Sequence, residues 1–382
     1  MGDSVEEFPR YTVLQRVGQS VLGLTKRMMQ RNLARINPEK PSETSSSEQN
    51  YDEYGFSIPD NAFANGIMAY ENSFNEKRER RLKRWEEIDL TDAWKTENPM
   101  YLKILIRKGI PDHYRARMWY TLSGASEFSQ QMQGMYKILL DQPLDPQDAN
   151  RIELDIYRTF PSNVNYMRDA QGAEKLRNVL RAFAKFAPST GYCQSFNYLA
   201  GVLLLFMDEE MAFLTMVQML DSRVPGKGMK ILDYYNDGML GLRRDILVLE
   251  MILQRRHRRL YNHLKKHVGD LTCICAEWFL CLFSISLPMP TLLRVWDSMF
   301  HEGDKILFRV AIALFKVHEK KLLKLEGDLL MYCKTMASGI VQHDEILKVA
   351  FYHLTFFRRR DIQQMRLQAV EKIREAEHTN QM

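Results

Sequence analysis

Apolar residues recur at three- and four-residue steps along most of the 382-residue chain, while alternating β-branched runs bounded by turn signals are nearly absent. The period predicts an all-α protein of many helices. Within residues 11 to 37, Leu14, Val17, Val21, Leu24 and Met28 form such a stripe, beside Arg16, Lys26, Arg27, Arg31 and Arg35 and with no acidic residue. That pattern suits an acidic membrane surface or a docking partner, and equally a helix folded onto the protein body. The polar stretch that follows, 37–50, cannot bury a core and reads as a flexible linker.

The remaining chain divides on the same pattern. A lead-in helical segment spans 51–106, its charges crowded between Glu76 and Arg84 on what reads as a solvated face, with Trp85 and Trp94 as anchors. A central helical domain is expected over 107–303 and a C-terminal helical region over 304–382. The central domain opens at Gly109-Ile-Pro111, where Pro111 suits a first helical turn and Gly124 a left-handed cap, and Arg115 and Trp119 share one face. Between residues 270 and 300, Trp278, Phe279, Phe283 and Trp296 sit among leucines in two buried helices around the Pro-rich corner Leu287-Pro-Met-Pro290. After Gly303 the pattern continues through Val317, and residues 358–377 read as a polar C-terminal helix rich in Gln and Arg.

Composition narrows the function classes. Lys and Arg number 53 against 48 Asp and Glu, a net +5 that is too small and dispersed to point to nucleic acid. No run approaches the roughly 18 apolar residues of a membrane span, and the first residues lack both the order of a secretory signal and the myristoylation pattern. The five cysteines are therefore expected as reduced thiols in a cytoplasmic protein. Cys273, Cys275 and Cys281 fit no tetrahedral zinc spacing and read as buried thiols, so no metal is implied. Arg255 to Arg259 with Lys265 and Lys266 reads as a solvated or membrane-facing surface. Cys193 lacks the His-Asn context of a thiol hydrolase, and no Walker-type loop is present, so a nucleotide would have to come with a partner.

Two segments carry candidate chemistry. In residues 151–161, Pro161 must end a helix, which puts Arg158 at its terminus with Asp155 one turn earlier, able to hold the guanidinium extended. In residues 189–206 a glycine-containing loop runs into an apolar helix, with Gln194 at the junction, a setting that suits a phosphate-bearing partner. Taken singly, an Asp-x-x-Arg pair is an ordinary surface ion pair and a glutamine at a helix start an ordinary cap.

Together the segments resemble the signature motifs of the TBC (Tre2-Bub2-Cdc16) family of Rab GTPase-activating proteins. Gly109 to Trp119 matches Gly-Ile-Pro-x-x-x-Arg-x-x-x-Trp, Ile152 to Arg158 matches Ile-x-x-Asp-x-x-Arg, Tyr192 to Gln194 matches Tyr-x-Gln, and Arg294 to Asp297 matches Arg-x-Trp-Asp. Order and spacing also agree over roughly residues 107 to 303, about half of the chain. The resemblance implies that Arg158 is an arginine finger and that Gln194 replaces, in trans, the water-aligning glutamine of a GTP-bound Rab. It further implies that Asp155 and Asn197 orient the two fingers, Tyr192 belongs to the second motif, and Arg115, Trp119, Trp278 and Trp296 form scaffold. No cofactor of its own is expected, since GTP and Mg²⁺ arrive with the GTPase, and the setting would be vesicle traffic at endomembranes. Ser195 and Phe196 depart from the family's usual Gly and small or aliphatic residue, and Leu214 stands where a Trp is frequent. A Cβ at 195 is the local feature favouring the alternative, a catalytically weak Rab-binding adaptor.

Overall fold

The computed structural model describes residues 51–58, 62–73, 75–88, 99–167, 170–221, 229–340, 342–354 and 358–379. The basic stripe at 11–36, the linker at 37–50 and Trp94 lie outside them. The described residues are helical, with no strand among them; two isolated bridges pair Tyr51 with Ser57 and Phe56 with Asn163.

The helices used below are α1 (Asn75–Glu86), α2 (Pro99–Lys108), α3 (Asp112–Leu122), α4 (Pro146–Ile156), α5 (Gln171–Phe186), α6 (Phe196–Leu204) and α7 (Glu209–Leu220). They continue as α8 (Leu240–Arg256), α9 (Thr272–Leu280), α10 (Met289–Glu302), α11 (Lys305–Val317), α12 (His343–Lys348) and α13 (Arg359–Thr379). Their ends follow local chemistry. Asp145 caps α4 by accepting from Gln147 N at 2.8 Å and Asp148 N at 3.2 Å, with Pro146 in the first turn, where it forfeits no helical bond. Asp208 caps α7 in the same way, through Met211 N.

α5 organises one half of the molecule. Its apolar stripe of Ala173, Leu176, Val179, Leu180 and Phe183 is buried against α4, α6 and α7, so the two helices that flank the candidate chemistry lean on one support. In the other half α10 packs on α2, α3 and α11, and Trp119, Trp278 and Trp296 are fully buried, as expected for scaffold. One hydrophobic core runs from Trp85 to Ala369 and does not stop at residue 303.

Two local expectations change. The prolines at 288 and 290 do not form the corner before α10 but start the helix, as its cap and first-turn residues. The corner is made earlier, by Leu282 and Phe283 at φ 47° and 64°, where Trp296 Nε1 donates to Leu282 O at 2.9 Å. The C-terminal helix is also more than polar surface. α13 lies along α8 and drives Arg366 inward, its Nε 2.8 Å from Asp245 Oδ1 and its Nη1 2.5 Å from Asp304. Burial works against the Asp245 charge, yet Arg366 and Arg244 hold its carboxyl below the usual range.

Candidate functional site

α4 ends at Ile156, and Arg158 follows in the turn that precedes Pro161. The turn is tight: Phe160 takes φ 49°, and Thr159 Oγ1 donates back to Asp155 O at 2.7 Å. Arg158 is partly exposed, its Nη2 paired with the Asp155 carboxylate, while its buried Nε has no hydrogen-bond partner. Asp155 is itself buried. The guanidinium is thus anchored at one edge and retains donor capacity.

The second segment reaches the first through three polar links, and a fourth bond ties its own turn. Tyr192 Oη donates to Asp155 Oδ2 at 2.5 Å. Asn197 Nδ2 donates to Thr159 Oγ1 at 2.8 Å, and its Oδ1 accepts from Ser195 N at 3.1 Å, so one side chain fixes both the turn before α6 and the turn after α4. At the far end of the loop Tyr192 N donates to Asp148 Oδ2 at 3.1 Å. Gln194 stands between these ties, half-buried in the turn that leads into α6. Burial, and then the Asp155 charge, push the Tyr192 phenol well above its ordinary range, so it remains a donor at any physiological pH.

Asp148 and Thr159 are site-building residues that sequence reading missed. Asp148 explains why residue 191 is glycine: at φ +61°, a Cβ there would sit 2.5 Å from Asp148 Oδ2. The only trace in the sequence was the unassigned Gly before Tyr192.

Ser195 and Phe196 turn inward. Ser195 is 1% exposed and accepts from the Cys281 thiol at 3.3 Å, although its φ of 104° is a conformation suited to glycine. Phe196 packs edge-on to Phe183 and Tyr235, at 5.0 and 4.6 Å between ring centroids. The Cβ at 195 therefore adds no bulk to the exposed side of the site. Arg115 belongs to a different network, joining the first and last motifs: Asp297 accepts from Arg115 Nε at 3.1 Å, Trp119 Nε1 at 2.8 Å and Ile110 N at 2.8 Å. Cys193 sits beside Gln194, but burial pushes its thiol up to about 11, which leaves it protonated and a poor nucleophile near neutral pH.

The exposed rim around Arg158 carries apolar side chains. Leu154, one helical turn before it, is 65% exposed and Tyr157, its neighbour in sequence, 48%, an arrangement suited to contact with another macromolecule. Among the described residues no helix is long and apolar enough to cross a membrane.

Comparison with known proteins gives a consistent picture. The family model described as Rab-GTPase-TBC domain matches residues 112–323. Growth hormone-regulated TBC protein 1-A of Danio rerio is 32% identical over 296 residues, covering 77% of this chain and 80% of that protein. TBC1 domain family member 2A of Homo sapiens is 34% identical over 336 residues, covering 85% of this chain but 36% of the relative, so the chain spans about a third of that longer protein. Among solved structures, the Chlamydomonas flagellar RabGAP TBC domain superposes with a TM-score of 0.67 at 29% identity, covering 80% of this chain and all of that one.

Proposed function

The chain belongs to the Rab-GTPase-TBC domain family, and from that premise we propose that it accelerates GTP hydrolysis by a GTP-bound Rab, inserting Arg158 and Gln194 into the partner's nucleotide site. The observation that carries this reading is the bridge between the two motif segments, in which Asp155 is shared by Arg158 and by the Tyr192 hydroxyl two residues before Gln194. A pair of fingers must be presented in one fixed relation, and a buried carboxylate common to both segments supplies it.

The chemistry follows from the partner's substrate. Water attacks the γ-phosphorus as the bond to the β–γ bridging oxygen breaks, and negative charge grows on the bridging and γ-oxygens. The Arg158 guanidinium, partly exposed and held through Nη2 by Asp155, can turn its remaining donors to those oxygens; in such reactions an arginine finger is worth about 10³ to 10⁵ in rate. The Gln194 carboxamide orients the water. GTP and Mg²⁺ belong to the Rab, and the chain carries out no reaction alone. Leu154 and Tyr157 form part of the docking rim, and the cellular setting is vesicle traffic at cytoplasmic membrane surfaces.

The test is a panel of purified Rabs assayed for hydrolysis with the intact chain, followed by Gln194→Ala on a responsive Rab. At saturating activator the variant should lower the rate at least about tenfold, roughly 1.4 kcal/mol of transition-state stabilisation, with little change in binding. A rate near wild type with about 1 kcal/mol of lost folding stability would identify Gln194 as a structural residue of the turn before α6, whose N-cap position is Ser195 and not Gln194. Replacing the Rab's own switch glutamine should leave that Rab responsive. Loss of response with binding intact would return the catalytic glutamine to the GTPase.

A further inference from the structure

α4 carries one pairing twice. Asp148 and Asp155 are seven residues apart, two helical turns, and each has an arginine three residues further on. Arg151 Nη1 lies 3.5 Å from Asp148 Oδ1, as Arg158 Nη2 pairs with Asp155. Both carboxylates also accept from the same residue of the opposite segment, Asp148 from Tyr192 N at 3.1 Å and Asp155 from Tyr192 Oη at 2.5 Å. Tyr192 is thereby held at its backbone and at its tip, and the two arginines it indirectly braces stand about 10 Å apart along one edge of the helix.

The two arginines differ in setting. The Arg158 side chain is 28% exposed and that of Arg151 59%, and Arg151 makes no other hydrogen bond or ion pair among the described residues. Its one contact is longer than a hydrogen bond and uses a single nitrogen, so most of the guanidinium fork faces solvent. A pair this exposed contributes little to the fold. The neighbouring cation Arg177, by contrast, is matched by Glu153, which accepts from its Nε at 2.7 Å and its Nη2 at 3.0 Å. Leu154 lies one turn beyond Arg151, so an unsatisfied guanidinium borders the apolar rim. Charge at the border of an apolar patch is how protein interfaces are arranged.

We infer that Arg151 selects the partner: it engages a carboxylate on the surface of the GTPase beside the nucleotide site, and a GTPase with a basic residue at that place is rejected. The inference rests on the Rab-activating reading above. Arg158 is the cation directed at phosphate, and Arg151, two turns back along α4, meets the protein surface around it. A guanidinium takes a carboxylate through paired hydrogen bonds, and juxtaposed like charges penalise the wrong partner. Being solvated, Arg151 also draws an acidic surface in before contact, an attraction that salt screens. Asp148 restrains the side chain from behind while Tyr192 N takes up part of its charge, so the outer edge of the fork stays available.

The experiment measures affinity of the intact chain for a responsive Rab loaded with a non-hydrolysable GTP analogue, beside single-turnover hydrolysis, for wild type, Arg151→Gln and Arg151→Glu. Arg151→Glu should weaken binding at least about tenfold and Arg151→Gln about threefold, the loss appearing in half-saturation rather than in the saturated rate. Wild-type affinity should fall more steeply with salt than that of Arg151→Gln. Acidic residues around the Rab's nucleotide site are then replaced by lysine one at a time. One such Rab should bind wild type poorly and bind Arg151→Glu at least about tenfold better than the unaltered Rab does. Wild-type affinity for Arg151→Glu with hydrolysis intact, no lysine variant that restores binding, or a loss confined to the saturated rate would overturn the assignment to Arg151 alone. Binding without acceleration of any Rab would instead defeat the activating reading, and the affinity series would still decide the role of Arg151.

Discussion

Replacing Tyr192 by Phe removes one oxygen from the centre of the candidate site and leaves the ring where it is. Tyr192 is 2% exposed and its ring lies edge-on to Phe196 at 6.4 Å, contacts that Phe retains, so no cavity opens. What is lost is the 2.5 Å bond to Asp155 Oδ2. A hydrogen bond to a charged group contributes about 1.5–3 kcal/mol, and because Asp155 keeps Arg158 as a partner, a loss of about 2 kcal/mol of folding stability is expected. The same bond fixes the carboxylate that fixes the guanidinium. Freed on one side, Asp155 should hold Arg158 less narrowly and lower the saturated rate about fivefold, near 1 kcal/mol, with half-saturation little changed. Urea unfolding gives the first quantity and single-turnover hydrolysis with a responsive Rab the second. Stability lost with the rate intact would show that the bridge serves the fold alone and would refute its positioning role; neither changing would refute the bridge.

Ser195→Gly should raise Tm by about 2 °C, since relief of a glycine-type φ of 104° is worth about 1 kcal/mol and outweighs the weak Cys281 S–H···O contact; a lower Tm in a melting scan would reverse that ranking. Glu302 makes the acid limb of stability specific: burial raises its pKa, but Arg107 and Lys305 bring it down to about 2. A carboxyl depressed on folding stabilises above its unfolded pKa of about 4.3 and loses that contribution as pH falls toward 2, here about 3 kcal/mol. Glu302→Gln should therefore flatten urea-unfolding free energy between pH 4.5 and 2, and an unchanged slope would remove Glu302 as the cause.

The helical period was enough for the fold class because nearly every buried stripe is local to one helix, as in α5 and α11. The motif residues were legible for a similar reason: Asp155 and Arg158 are three apart, and Tyr192 and Gln194 two. The connections between segments were not. Tyr192 meets Asp155 across 37 residues, Arg366 meets Asp245 across 121, and Arg115 meets Asp297 across 182. No periodicity encodes such pairs, which arise only when α4, α6, α8, α10 and α13 are packed. Arg81 shows the same limit from the other side: on a charged helix it reads as solvated, yet its Nη1 would lie 3.0 Å from a Cβ at Gly109, beside the buried Arg294 of α10.

The central claim is that Arg158 acts as a positioned guanidinium and not merely as a positive charge. Single-turnover GTP hydrolysis by a responsive Rab at saturating activator, compared among wild type, Arg158→Lys and Arg158→Ala, tests it most directly. A lysine ammonium lacks the planar fork that spans the γ- and bridging oxygens, so both variants should lose about 10³-fold or more of the acceleration and differ little from each other. Arg158→Lys retaining more than half of the wild-type acceleration would contradict the assignment.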